Sequence, residues 1–155
     1  MVIRDAVLGE RLELEELQRR ASLVWEDDRE ALLANPDAIS LPAQQITDGL
    51  VRVAADDAGR RIGFSVLFDV RDGGCELDGL FVEPNAWRSG IGRALVADCR
   101  ERAVRRGAAR IDVIANPRAE GFYERVGFVL GETVPTRFKP ARRMHLVLED
   151  SPRAA

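Results

Sequence analysis

The segment "LDGLFVEPNAWRSGIGRALV", residues 77–96, does most to limit what this chain can fold into. It begins as an apolar run with β-forming residues and ends as the opening of a long helical pattern, with Gly90 and Gly92 between the two. From there Ile91, Leu95, Cys99 and Ala103 recur every fourth residue with Val96 beside them, the stripe of a helix lying on a sheet, and Gly107 is its stop signal. "ARIDVIA" then reads as another strand. Strand, helix and strand in that order predict a parallel pair with a right-handed crossover. Glycine is costly inside a helix, so a pair in the first turn points to a close approach to the backbone. The N–H groups from Ser89 to Arg93, at a helix N-terminus, suit a pyrophosphate, and Arg88 and Arg93 add positive charge.

On spacing alone, two other readings stay open. The glycines equally allow a tight turn and close packing of helix on strand. A dinucleotide fingerprint needs GxGxxG, but its third position is Leu95, and Asp112, about 20 residues on, falls in mid-strand, where burial is expected rather than a ribose contact. A P-loop is excluded, since no GK followed by Ser or Thr occurs.

Upstream, "MVIRDAV" predicts a short strand. Leu14, Leu17, Ala21 and Val24 mark one face of a helix reaching about Trp25, and "DDREALLAN" a second helix stopped by Pro36. Residues 37–49 lack a period and predict a loop with a helical turn. "LVRVAADD" and "RRIGFSVLFDV" predict a hairpin, and Cys75 to Val82 the next strand. In that strand Glu76, Asp78 and Leu80 share one face and Leu77, Gly79 and Phe81 the other, so polar alternation breaks down after Gly79, where a bulge is expected. "NPRAEGFYERVG" predicts a short helix capped by Asn116, with Pro117 at its first position and Ala119, Phe122, Tyr123 and Val126 inward. "FVLGETV" and "RRMHLVL" are two final strands. Residues 1–149 read as a single domain and 150–155 as a tail.

The chain has 155 residues, 46% of them hydrophobic, enough for one core. A formal charge of −3 gives no global attraction to nucleic acid or an anionic membrane, so neither is expected as a partner. Cys75 and Cys99 do not form a CxxC motif and His145 is the only histidine, so no metal site is expected and the cysteines read as free thiols of a reducing compartment. With no leader-like apolar region and no membrane-length apolar run, the expected location is the cytoplasm.

From Leu77 to about Gly127 the chain resembles the GNAT superfamily of acyl-CoA-dependent N-acyltransferases. The matching residues are "LFVEP" closing a strand, "WRSGIGRALV" opening the long helix, "IDVIAN" as the next strand and "AEGFYERVGF" as the helix after it. The resemblance implies an α+β fold of α/β/α layers: a mixed, mostly antiparallel sheet of about seven strands, a central parallel pair splayed apart, and about four helices. It implies acetyl-CoA as cosubstrate, with the pyrophosphate on Arg88, Ser89, Gly90, Ile91, Gly92 and Arg93. The pantetheine arm would pair with backbone of Phe81 and Val82 beside Leu80, facing Asn116, Ala119, Phe122 and Tyr123. One departure stands out. The family usually has Gln or Arg three residues before the first glycine, where this chain has Trp87.

Acetyl transfer to an amine needs a neutral nitrogen, a donor for the thioester oxygen and a proton for the departing thiolate. Glu76 and Asp78, on the strand leading to the thioester, are base candidates, although solvated carboxylates have the same pattern. A backbone N–H between Leu80 and Val82 could hold the oxyanion. By the resemblance, Tyr123 is the acid that protonates the coenzyme A sulfur. Trp25, Asp28 and His145 are candidates for the acceptor site, and the expected acceptor is a small-molecule or amino-acid-like primary amine, attacking in a ternary complex. A monomer or a homodimer is expected. The competing readings are a CoA-binding regulatory module without catalysis and, more remotely, a dinucleotide-dependent oxidoreductase.

Overall fold

The computed structural model describes residues 1–148. The tail expected at 150–155 lies outside the described residues. Among them, seven strands, β1 (Val2–Asp5), β2 (Val51–Ala55), β3 (Arg61–Leu67), β4 (Gly74–Val82), β5 (Arg110–Ala115), β6 (Val129–Val134) and β7 (Ala141–Val147), form one mixed sheet in the order β1-β2-β3-β4-β5-β7-β6. The α-helices are α1 (Arg11–Leu23), α2 (Glu26–Ala34), α3 (Ala43–Thr47), α4 (Ile91–Arg105) and α5 (Glu120–Arg125). The expected parallel pair is present as β4 and β5, while β1–β2, β2–β3, β5–β7 and β6–β7 are antiparallel. The helix beyond the expected four is α3, one short turn in the segment without a period. Ile46 anchors it by burial.

The chain forms two compact units, Met1–Val66 with Gly79–Leu95, and Leu67–Asp78 with the described residues from Val96 onward. In the first, Leu14, Leu17 and Ala21 of α1 are buried, as their spacing predicts, whereas Val24, just past the end of the helix, is exposed; Val51, Val53 and Phe64 of the sheet are buried too. A separate cluster joins Ala54 to Ile91 and Leu95 of α4, with Ile62, Leu80 and Val82 against it. Gly63 makes this approach possible. A Cβ there would stand 3.0 Å from the Phe81 carbonyl oxygen and 3.2 Å from both Ile91 and Leu95.

β4 carries the expected irregularity. Phe68 N–H donates to Glu76 O and Glu83 N–H to Ile62 O, each at 2.9 Å. Ile62 to Phe68 is a step of six residues and Glu76 to Glu83 one of seven, so β4 holds one extra residue. This bulge exchanges the faces of the strand. Before Gly79, Cys75 and Leu77 are buried while Glu76 and Asp78 are exposed; after it, Leu80 and Val82 pack on α4 and Phe81 meets Phe64 with ring centroids 5.3 Å apart.

In the second unit β4 pairs with β5 from Gly74↔Arg110 to Leu77↔Val113, and β5 pairs with β7 along its whole length. One face is apolar, with Cys75, Leu77, Ile111, Val113, Met144 and Leu146 buried. The other presents Glu76, Asp78, Asp112, Ile114, Arg143 and His145.

A buried carboxylate ties β1 to the start of α1. Glu10 is 5% exposed and accepts from Arg4 at 2.6 and 3.0 Å and from Val7 N–H at 2.9 Å, with Arg61 Nε at 3.1 Å. The Arg4 hydrogen bonds, ahead of every other cause, hold its carboxyl below the usual carboxylate range. Its stabilising effect is therefore complete above the ordinary carboxylate pKa and lost as pH falls through the depressed folded one. Glu10→Ala is predicted to cost about 1–3 kcal/mol in urea unfolding at pH 7, with the gap to wild type closing in strong acid.

Candidate active site

The turn before α4 is held in an unusual shape. Arg88 has φ +69° and Gly90 φ +87°, both left-handed. For arginine that conformation costs about 1–2 kcal/mol, so its neighbours must enforce it. Trp87 does so twice: its indole stacks on Trp25 (5.4 Å, 23°) and its Nε1–H donates to Val82 O at 2.8 Å. Arg20 grips the Glu83 carboxylate through two bonds of 2.7 and 2.8 Å, and Ser89 Oγ donates to Ala86 O.

What the turn offers is backbone. Helical bonding starts with Ala94 N–H donating to Gly90 O, and no N–H from Arg88 to Arg93 has an acceptor among the described residues. A Cβ at Gly90 would meet nothing within 4 Å. Packing therefore does not explain Gly90; that role falls to Gly63. Arg88, Ser89 and Arg93 are exposed while Ile91 is buried, which fixes the turn and leaves donors and charge at the surface.

Of the residues expected along the arm, Leu80 and Val82 turn to the α4 cluster and Phe81 to Phe64, and the Val82 carbonyl is taken by Trp87. Asn116 caps its own turn, with Oδ1 accepting from Arg118 and Ala119 N–H at 3.0 and 3.1 Å. The helix starts at Glu120 rather than at Pro117, because residues 117–119 form the turn that Asn116 closes. On α5, Tyr123 is 7% exposed between the rings of Phe122 and Phe128, each 5.2 Å away and edge-on. Burial, and then the adjacent Cys99, push the phenol's pKa upward, so it stays protonated at neutral pH. Its oxygen has no hydrogen-bond partner among the described residues.

Glu76 and Asp78 sit on the accessible face of the second unit, and loss of solvent around Asp78 raises its carboxyl pKa. On the same face His145 Nδ1 lies 2.6 Å from Asp112 Oδ1. Trp25 precedes α2, where Asp28 N–H donates to its carbonyl at 3.1 Å. Sequence reasoning passed over Trp87 as an anchor and Arg110 and Asp112 as a pair. An Arg and an Asp two apart in a strand share a face, which is the signal that points to them.

Residues 12–128 match the family described as the acetyltransferase (GNAT) family. The chain belongs to it. No curated protein matches. Among solved structures, this GNAT chain is similar to the PaiA N-acetyltransferase of Thermoplasma acidophilum in complex with coenzyme A, at 18% identity over 94% of this chain and 98% of that one, TM-score 0.78. An aminoglycoside 6'-N-acetyltransferase complexed with coenzyme A aligns at 17% identity over 98% and 99%, TM-score 0.72. The ribosomal-protein-S18-alanine N-acetyltransferase of Escherichia coli aligns at 18% over 99% and 97%, TM-score 0.70. At such identities the likeness is one of fold.

The Trp87 anchor gives a prediction specific to this GNAT chain. Trp87→Phe keeps a ring against Trp25 and should lose only about 0.5–1.5 kcal/mol in urea unfolding, whereas Trp87→Ala, which also loses the stack, should lose about 2–4 kcal/mol.

Proposed function

We propose that this protein transfers the acetyl group of acetyl-CoA to a primary amine on a small or amino-acid-like molecule, by direct attack in a ternary complex. The observation that carries the reading is the turn from Arg88 to Arg93, whose amides are unbonded around a glycine with open space beside it. That surface suits a diphosphate, with Arg88 and Arg93 supplying charge. The resemblance leads one to expect a polar side chain at position 87, but the Trp87 indole is engaged with Trp25 and Val82, so the backbone does the holding.

The Phe81 and Val82 backbone, with Leu80 beside it, takes the pantetheine, and Asn116, Ala119 and Phe122 line the arm. Tyr123, kept protonated by burial, gives its proton to the departing thiolate. The amine's proton leaves to a group on the face that carries Glu76, Asp78 and His145. Glu26 and Asp28 beside Trp25 favour a cationic acceptor. The named acceptors of the neighbours range from aminoglycosides to a protein alanine, so chemistry and not analogy has to choose among them. The reaction is assigned to the cytoplasm, where thiols such as Cys75 and Cys99 stay reduced.

Acetyl-CoA at about 100 times its Kd should raise the stability by about 2.7 kcal/mol and the Tm by several degrees, with NAD giving no shift. Thiol release is then read over a diamine, an aminoglycoside, L-glutamate and a peptide with N-terminal alanine. Tyr123→Phe should lower kcat about 10²-fold at saturating acetyl-CoA with little change in KM for it. Unchanged turnover removes Tyr123 from the mechanism, and binding without thiol release from any amine assigns the chain to CoA-responsive regulation instead.

A further inference from the structure

Across the second unit Glu76 stands opposite Asp112, and Asp112 opposite His145, so the three side chains form a row on the accessible face. The row is held at its centre. Asp112 Oδ1 lies 2.6 Å from His145 Nδ1, and Arg110 Nε donates to both Asp112 oxygens at 2.9 and 3.2 Å. A carboxylate so placed keeps the ring proton on Nδ1 and leaves the Nε2 lone pair outward. One glycine makes room for the arrangement: a Cβ at Gly74 would stand 2.5 Å from Asp112 Oδ2. The Asp112 side chain is 17% exposed and that of His145 37%, so the carboxylate is sheltered while the imidazole edge reaches solvent.

We propose that His145 is the general base of the acetyl transfer, with Asp112 and Arg110 as its positioning residues. The inference rests on the acetyltransferase reading and assigns the base within it. Among the described residues no hydrogen bond orients the side chain of Glu76 or Asp78, whereas His145 is oriented, and imidazole is the side chain suited to taking a proton near neutral pH. The other charged groups around it are Glu76 and Asp78 on β4, Arg110 and Asp112 on β5, Arg143 on its own strand, and Glu132 on β6, 3.6 Å from Arg143.

Tyr123 belongs to the opposite face. Met144 and Leu146, on either side of His145, are buried, and a Cβ at Gly127, just past α5, would stand 3.2 Å from Leu146 Cδ1. Acid and base thus lie on opposite faces of the sheet. His145 Nε2 takes a proton from the acceptor ammonium, directly or through one water, and the freed amine forms the C–N bond. The C–S bond breaks, Tyr123 protonates the thiolate, and the second N–H proton of the adduct restores the phenol. The proton on His145 passes to solvent, so one proton is released for each amide and thiol formed.

Because His145 is the only histidine, its ring nitrogens can be read by NMR in the full chain without assignment. The expected tautomer at neutral pH carries the proton on Nδ1, and Asp112→Asn removes that preference; the opposite tautomer in the wild type overturns the proposal. In turnover with the fastest of the four amines, His145→Gln should bind acetyl-CoA within about twofold of wild type and lose about 10²-fold in kcat at pH 7. It should recover to within a few-fold near pH 10, where the amine, with an ordinary pKa of about 10, sheds its proton unaided. No loss, or an equal loss at both pH values, overturns the assignment of the base. A wild type that fails to bind acetyl-CoA overturns the acetyltransferase reading along with it.

Discussion

Between Glu76 and Glu83, β4 holds one residue more than the stretch of β3 hydrogen-bonded to it. Because side chains alternate along a strand, that residue changes which of them face α4. It leaves Glu76 and Asp78 accessible and sends Leu80 and Val82 into the cluster under Ile91 and Leu95. The same cluster pins the first turn of α4. Without the exchange of faces, the residues that seat the helix would be displaced from the sheet, and the turn before it would lose its support.

The turn itself trades local comfort for exposed donors. Arg88 and Gly90 are both left-handed, and arginine is strained there. The strain is sustained by contacts on Trp87, Glu83 and Ser89, so the shape is set before any ligand arrives. A preorganised donor array loses less entropy on binding than one that must first be ordered. This gives Trp87 a physical role at a position where the resemblance leads one to expect Gln or Arg: it braces the backbone of the turn.

Much of this was legible in the sequence. The four-residue stripe from Ile91 to Ala103, the alternation that fails at Gly79 and the inward face holding Tyr123 are each a local pattern tied to one geometry. Gly90 was legible as a turn residue, but the choice between packing and ligand approach was not, because it depends on Gly63, 27 positions away in sequence, filling the packing role. The Trp25–Trp87 stack and the Asp112–His145 pair are contacts between distant segments, and no periodicity encodes them, whereas Arg110 and Asp112, two apart on one strand, do leave a local signal. The start of α5 moved from Pro117 to Glu120 because the Asn116 side chain closes a turn first.

The central claim is that backbone amides from Arg88 to Arg93 hold the diphosphate of coenzyme A, and backbone amide NMR tests it most directly. Titrating coenzyme A into 15N-labelled protein should shift the amides of residues 88–93 most strongly, and pantetheine, which lacks the diphosphate, should leave them nearly unmoved. Shifts centred elsewhere with that turn silent, or equal shifts of the turn with pantetheine, would contradict it.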